Sequence, residues 1–206
     1  HQVFQFILNK TPALCLEAVK KDGSLIAYIE NKTPEICDIA LGNSIYAIKY
    51  LDKTGDFCMK AVSHDGCALE YIENQTEEMC LKAIQTRPMS LKFVKNKTEA
   101  ICIEAVKRYG ETLQFVENQT PEICSEAVKQ HGWNLRYVKN QTEALCLEAV
   151  KRHGYALEYV KEENQTDEIC FEAIKDNRYC IKYIKSIQSD FYDKYVKYEN
   201  YNDNDD

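Results

Sequence analysis

The motif Asn118-Gln-Thr-Pro-Glu-Ile-Cys124 returns 22 residues later as Asn140-Gln-Thr-Glu-Ala-Leu-Cys146. Cysteine marks the same position along the chain, at residues 15, 37, 58, 80, 102, 124, 146 and 170. Eight repeats, numbered 1 to 8 below, therefore begin near Asn9, Asn31, Lys53, Asn74, Asn96, Asn118, Asn140 and Asn164. A fixed period of this length is typical of a solenoid, in which each unit packs mainly on its neighbours.

The first half of each repeat predicts an α-helix. Thr142 represents a threonine present in all eight repeats, where its side chain can cap a helix N-terminus. In repeat 7 the apolar residues Leu145, Cys146, Ala149 and Val150 then fall within an arc of about 140° on a helix. Glycine follows this helix in five repeats, at Gly23, Gly66, Gly110, Gly132 and Gly154. We expect these glycines to form left-handed C-terminal caps.

The second half of each repeat fits either a strand or a second short helix. A strand would place Leu157 and Tyr159 on the same face as the charged Lys161, although the spacing is similar to that of leucine-rich repeats. A helix instead gathers Ala156, Leu157, Tyr159 and Val160 into one apolar arc. The helix is therefore the favoured prediction.

Two blocks of this pattern resemble a known family of tandem repeats. Ile123-Cys-Ser-Glu-Ala-Val-Lys-Gln-His-Gly132 and Leu157-Glu-Tyr-Val160 are similar to the repeats of domain-of-unknown-function family 4116. That family occurs in protists and in giant DNA viruses of amoebae. The resemblance covers nearly the whole chain and implies an all-helical array. It implies no activity, cofactor or site residue.

The predicted fold is an all-α solenoid of about eight 22-residue helix–turn–helix repeats with a C-terminal capping helix. Residues 1–8 are expected to form a partial N-terminal repeat, and residues 9–185 the eight repeats. Residues 186–199 are expected to form the capping helix, and residues 200–206 an acidic disordered tail.

Composition narrows the classes of function. Of the 206 residues, 45% are hydrophobic, which is enough for a core, and the net charge of −7 argues against a nucleic-acid or anionic-membrane binder. No apolar run approaches the roughly 18 residues needed to span a bilayer. No signal peptide is visible, so we expect a cytoplasmic protein, or one in the host cytoplasm or virion if it is viral.

The cysteines and the Asn-x-Thr motifs both have structural explanations. No Cys-x-x-Cys occurs, and equivalent positions on packed helices lie roughly 9–10 Å apart, too far for a disulfide. The cysteine column is therefore expected to be reduced and buried, whereas Cys67 and Cys180 outside it are the candidates for exposed thiols. Asn-x-Thr in seven repeats can be a glycosylation site, but a helix boundary explains its spacing directly.

No catalytic, metal-binding or cofactor-binding motif stands out. His64, His131 and His153 lie one or two residues before a glycine, where a helix C-terminus favours histidine. There is no glycine-rich phosphate loop and no His-Glu-x-x-His or Gly-x-Ser-x-Gly motif. We expect no catalysis, no metal and no cofactor.

The position after the glycine varies while its neighbours do not. It holds Ser24, Tyr46, Cys67, Met89, Glu111, Trp133, Tyr155 and Tyr179. We predict a partner-binding surface at Trp133, Tyr155 and Tyr179, with Met89 and Tyr46 as further candidates, because aromatic residues dominate interface energetics. The alternative is that these side chains only seal the groove between repeats.

The predicted function is non-enzymatic protein–protein interaction or scaffolding through this variable position. One alternative is a self-assembling structural component, possibly of a virion. A second is modular RNA binding, which the acidic net charge opposes. The identity of the protein partner and the oligomeric state stay open.

Overall fold

The computed structural model describes residue 4 and residues 10–185. These residues belong to two compact units, the first ending at Arg108 and the second beginning at Tyr109. The predicted capping helix, the acidic tail and, apart from Phe4, the partial N-terminal repeat lie outside the described residues.

Every repeat contains a ten-residue α-helix followed by a six-residue 3₁₀-helix. The α-helices are α1 (Pro12–Lys21), α2 (Pro34–Asn43), α3 (Gly55–His64), α4 (Glu77–Thr86), α5 (Glu99–Arg108), α6 (Pro121–Gln130), α7 (Glu143–Arg152) and α8 (Asp167–Asp176). The 3₁₀-helices are Gly23–Tyr28, Ile45–Tyr50, Gly66–Tyr71, Pro88–Phe93, Gly110–Phe115, Gly132–Tyr137, Gly154–Tyr159 and Arg178–Tyr183. A further turn, Glu162–Asn164, accommodates the extra residues of repeat 7. Residues 10–185 contain no strand, so the prediction of an all-helical repeat is confirmed.

Threonine starts the α-helices as predicted. The Thr142 hydroxyl accepts a hydrogen bond from the Leu145 backbone N–H at 3.3 Å, and six other repeats have the equivalent bond. In repeat 3 the Thr54 side chain makes no such bond. One donor of the otherwise unpaired first turn is thereby satisfied in seven of the eight repeats.

The core of each unit lies between the two kinds of helix. In repeat 7 the predicted residues Cys146, Ala149 and Val150 are fully buried, as are Leu157 and Val160 after them. Within each unit, successive α-helices pack on one another and successive 3₁₀-helices do the same. Repeats are thus joined through two parallel layers of helix contacts.

The expectation of left-handed glycine caps is wrong. No residue among those described has a positive φ, and His131 ends α6 in an extended conformation with φ −148°. Gly132 instead begins the 3₁₀-helix at a point where an added Cβ would lie 2.4 Å from the Ala149 carbonyl oxygen. Equivalent clashes of 2.2 to 2.5 Å with the next repeat's alanine carbonyl occur at Gly23, Gly66 and Gly154. Glycine is needed here because adjacent repeats approach so closely, not because of its φ angle.

One buried hydroxyl in the first unit is unsatisfied. Ser90 is fully buried in the 3₁₀-helix of repeat 4, and its Oγ has no hydrogen-bond partner among the described residues. Alanine occupies the same position in three other repeats, as Ala47, Ala68 and Ala156.

We therefore expect Ser90→Ala to raise the free energy of unfolding by about 1 kcal/mol, since it removes an uncompensated polar group. Thr112→Val is the matched control, because the Thr112 hydroxyl donates to the Tyr109 carbonyl at 2.8 Å and its loss should destabilise. Urea unfolding of both variants measures the difference. Equal destabilisation by the two substitutions would contradict this reading of Ser90.

Candidate functional site

The 3₁₀-helices of the second unit carry a surface of aromatic side chains. Trp133, Tyr155 and Tyr179 occupy the variable position of repeats 6, 7 and 8, and the 3₁₀-helix of each of these three repeats ends in a tyrosine. We call the six residues Trp133, Tyr137, Tyr155, Tyr159, Tyr179 and Tyr183 the aromatic face.

Exposure differs among the three predicted anchors. Trp133 is 50% exposed and Tyr179 is 64% exposed. Tyr155 is half-buried, and its ring meets that of Tyr183 edge-on with the centroids 6.1 Å apart. Packing between repeats thus buries part of the Tyr155 side chain, whereas at least half of the Trp133 and Tyr179 side chains is exposed to solvent.

The other two candidates lie in the first unit. Tyr46 is 52% exposed, with its ring centroid 5.9 Å from that of Tyr71. Lys49 lies over both rings, with Nζ 5.2 Å from the Tyr46 centroid and 4.4 Å from the Tyr71 centroid. Met89 is half-buried. The structure therefore places Trp133, Tyr155 and Tyr179 in the second unit and Tyr46 and Met89 in the first.

Two histidines flank Trp133. The His131 ring lies nearly parallel to the indole with centroids 6.5 Å apart, and the His153 ring lies 5.7 Å from it. His153 Nδ1 accepts a hydrogen bond from the Gly132 backbone N–H at 3.3 Å. The histidines therefore pack beside the indole, a role that their positions at favourable helix ends do not predict. Their 22-residue spacing, with Trp133 between them, was the available signal.

Cationic side chains lie against the tyrosines. The Arg136 guanidinium is 4.6 Å from the Tyr137 ring centroid and pairs with Glu111 at 3.4 Å. Lys182 Nζ is 4.8 Å from the Tyr183 centroid and 5.9 Å from that of Tyr155. Its hydrogen bond to Tyr183 raises the pKa of Lys182, so the ammonium is charged at neutral pH. The arrangement places positive charge on the aromatic face by cation–π contact.

A glutamine fixes the end of the 3₁₀-helix in each of repeats 6, 7 and 8. Gln141 Nε2 donates to the Tyr159 carbonyl at 2.8 Å, and its Oε1 accepts from the Lys161 backbone N–H at 2.9 Å. Gln119 and Gln165 make the same pair of bonds in their repeats. This residue is the middle member of the Asn-Gln-Thr motif, whose flanking residues alone were interpreted from sequence. Because this glutamine is hydrogen-bonded to the backbone carbonyl of the tyrosine that ends the 3₁₀-helix, it helps to position the aromatic face.

Three segments of the chain match a known family of repeat domains. Residues 55–99, 98–141 and 143–187 each match the domain of unknown function DUF4116. The chain belongs to this family. Each DUF4116 match spans about two of the 22-residue repeats, so one family unit contains two pairs of α-helix and 3₁₀-helix. Searches of curated proteins and of solved structures found no match.

The DUF4116 repeats also contain the cysteine column. All ten cysteines are free, and nine are buried, with Cys67 half-buried. The expectation that Cys180 is exposed is wrong, because it packs at the small inward position that alanine fills in repeat 7. Burial raises the pKa of the Cys146, Cys170 and Cys180 thiols to about 11.

No helix among the described DUF4116 residues is long and apolar enough to cross a membrane.

The raised pKa values of these thiols predict that the folded protein loses stability at alkaline pH. A folded thiol with pKa about 11 keeps its proton at pH values where the unfolded thiol, with its ordinary pKa of 9.0, has lost it. The stabilisation is fully present below pH about 9 and is lost as the pH rises towards about 11. Urea unfolding between pH 8 and 10.5 should show this decline. Cys170→Ala should make the decline shallower, and an unchanged slope in that variant would contradict the assignment.

Proposed function

We propose that this chain is a non-enzymatic interaction protein that binds a protein partner through the aromatic face of its second unit. The observation that carries the proposal is the exposure of Trp133 and Tyr179, each at least half open to solvent at the position that varies between repeats. Large exposed rings on a repeat surface are costly to leave in water and are typical anchors of protein interfaces.

The backbone beneath these rings is already fixed. The Tyr179 N–H donates to the Asn177 side chain at 2.9 Å, and the Gly132 N–H donates to His153. Leu135 and Cys180, on the same 3₁₀-helices, are fully buried. A partner therefore meets anchors whose main chain needs little further ordering, which lowers the entropic cost of association.

Capture from a lysate of the source cell, followed by mass spectrometry, tests the proposal. The triple variant Trp133→Ala/Tyr155→Ala/Tyr179→Ala should stay folded by circular dichroism and lose the partner that the native chain retains. Truncating an interface anchor typically costs about 2 kcal/mol or more, so three truncations should abolish capture. The purified partner should then show the same loss of affinity in calorimetry.

The matched control is Tyr28→Ala/Tyr50→Ala, since both tyrosines are exposed in the first unit. This variant should keep the partner. Retention of every partner by the triple variant would refute the proposal. Sedimentation over a range of concentrations distinguishes self-assembly, because a chain that associates only with itself at this face has no separate protein partner.

A further inference from the structure

We propose that the contact between repeats 6 and 7 is a pH-sensitive junction, which opens beside Trp133 when His153 is protonated. The junction is the hydrogen bond from the Gly132 backbone N–H to His153 Nδ1, at 3.3 Å. This inference does not depend on the proposed function, because it concerns the structure of the second unit alone. It implies that the environment of Trp133 changes with pH.

Three successive repeat contacts in the second unit contain a hydrogen bond of the same kind. The first N–H of a 3₁₀-helix donates to a side chain at the end of the next repeat's α-helix. The Gly110 N–H donates to Gln130 Oε1 at 2.7 Å, and the Gly154 N–H donates to Asp176 Oδ2 at 2.7 Å. The bond from Gly132 to His153 is the third of these. Because the first N–H of a helix has no partner within that helix, the next repeat supplies the acceptor.

The sequence explains why the acceptor in repeat 7 is a histidine. Gln130, Arg152 and Asp176 end α6, α7 and α8, so the three residues occupy equivalent positions. An arginine side chain has only donors, so Arg152 cannot accept from Gly132. The residue that follows it, His153, accepts instead.

The three acceptors respond differently to mild acid. Amide and carboxyl oxygens accept hydrogen bonds throughout this range. A neutral imidazole accepts only at its unprotonated nitrogen, whereas an imidazolium has two donors and no acceptor. Histidine is the side chain that ordinarily changes charge between about pH 5 and 8. Protonation of His153 therefore places a donor opposite the Gly132 N–H, and this bond alone among the three is lost.

The position of the ring connects this bond to Trp133. His153 is half-buried, so solvent protons reach its ring. The repeats approach closely here, since a Cβ on Gly132 would lie 2.4 Å from the Ala149 carbonyl oxygen. The centroid of the His153 ring lies 5.7 Å from that of the indole and 5.6 Å from that of His131. An imidazolium that turns away from Gly132 therefore changes the packing of the indole, and a second charge on His131 would repel it further.

Charges of both signs surround His153. Its helix, α7, packs on α6, on α8 and on the 3₁₀-helices of repeats 6 and 7. The charged or titratable groups at the nearby ends of these elements are Lys129, His131, Lys151, Arg152, Tyr155, Lys175 and Asp176, with Arg136 and Glu158 further along the two 3₁₀-helices. The Asp176 carboxylate and the carboxyl end of α7 favour an imidazolium, whereas Arg152 and a charged His131 oppose it. The geometry of the hydrogen bond, rather than the net charge, thus determines what protonation does to the junction.

Amide hydrogen exchange of the full 206-residue chain, measured by NMR, tests the proposal with two internal controls. Between about pH 7.5 and about pH 5.5, protection of the Gly132 amide, corrected for the intrinsic effect of pH on exchange, should fall about 10-fold. The Gly110 and Gly154 amides should keep their protection, because Gln130 and Asp176 still accept. Nitrogen-15 signals of His153 should show a proton on Nε2 alone at the higher pH and on both nitrogens at the lower.

Arg152→Gln transfers the arrangement of repeat 6 to repeat 7, because a glutamine would then end α7 as Gln130 ends α6. In this variant the Gly132 amide should be protected equally at the two pH values. Arg152→Met is the matched control, since it removes the same charge without adding an acceptor, and it should keep the loss of about 10-fold. His153→Phe should leave the Gly132 amide weakly protected at both pH values.

Quenching by acrylamide reports on Trp133, the only tryptophan in the chain. Quenching should increase between about pH 7.5 and about pH 5.5 in the native chain and in Arg152→Met, and should stay constant in Arg152→Gln. Far-UV circular dichroism should be the same at both pH values, because only one junction opens.

Equal loss of protection at Gly110, Gly132 and Gly154 would overturn the inference, because the whole unit would then loosen in acid. A His153 ring that stays neutral at about pH 5.5, or one that is protonated while Gly132 keeps its protection, would also overturn it. So would an acid-dependent loss at Gly132 that persists in Arg152→Gln. If the junction opens as expected while the triple variant keeps every captured partner, this inference stands and the proposed function fails.

Discussion

Gly132→Ala is expected to lower the free energy of unfolding by about 3 kcal/mol. The added methyl group would lie 2.4 Å from the Ala149 carbonyl oxygen and 3.1 Å from the carbonyl carbon, both of which are backbone atoms of the next repeat. Neither can rotate away as a side chain would, so α7 and the 3₁₀-helix of repeat 6 must separate. Overpacking of a well-filled contact costs about 1–3 kcal/mol and more where the backbone must shift.

Gly42→Ala is the matched control, because Gly42 lies inside α2 and an added Cβ would come no closer than 3.7 Å to His64 Cε1. Alanine there should raise stability by about 0.5–1 kcal/mol through its better helix propensity. Urea unfolding, followed by circular dichroism, compares the two variants. A Gly132→Ala protein as stable as the native chain would contradict the close approach of the repeats.

Leu157→Ala should destabilise the second unit by about 2–5 kcal/mol, the range typical of buried leucines. Leu157 is fully buried between the helix layers, as is Val150, whose truncation should cost less because fewer methyl groups are removed. Glu148→Ala should cost under about 0.5 kcal/mol, since its ion pair with Arg152, at 3.9 Å, is at the surface. If Glu148→Ala proved as costly as Leu157→Ala, the assignment of buried and solvent faces would be wrong.

The sequence predicts structure well at positions where the residue type and its neighbours fit only one local structure. Threonine before an apolar pattern of helical period almost always caps a helix, and Thr142 does so. The 3₁₀ type of the second helix was not predictable, because a six-residue helix with Ala156 and Leu157 turned inward, followed by the buried Val160, fits a period of 3.0 as well as 3.6.

Glycine and glutamine show why other features were missed. Glycine serves positive φ angles and close approaches alike, and only the position of the Ala149 carbonyl tells the two apart at Gly132. The bonds of Gln141 join its side chain to backbone groups 18 and 20 residues away, which no local pattern reveals. Trp133, Tyr155 and Tyr179 could be chosen as candidates because variation at one repeat position is visible in the sequence, whereas the flanking histidines needed the stacking of repeats to bring them to Trp133.

The emission of Trp133 on addition of the captured partner tests the proposed interaction most directly. The half-exposed indole belongs to the aromatic face and is the chain's single tryptophan, so its signal reports on that face, provided the partner's own tryptophan emission is subtracted. A partner bound there should shift the emission to shorter wavelength and protect it from quenching by acrylamide, with saturation at the affinity measured by calorimetry. A partner that binds the chain with the same affinity while leaving the emission and quenching of Trp133 unchanged would contradict the account.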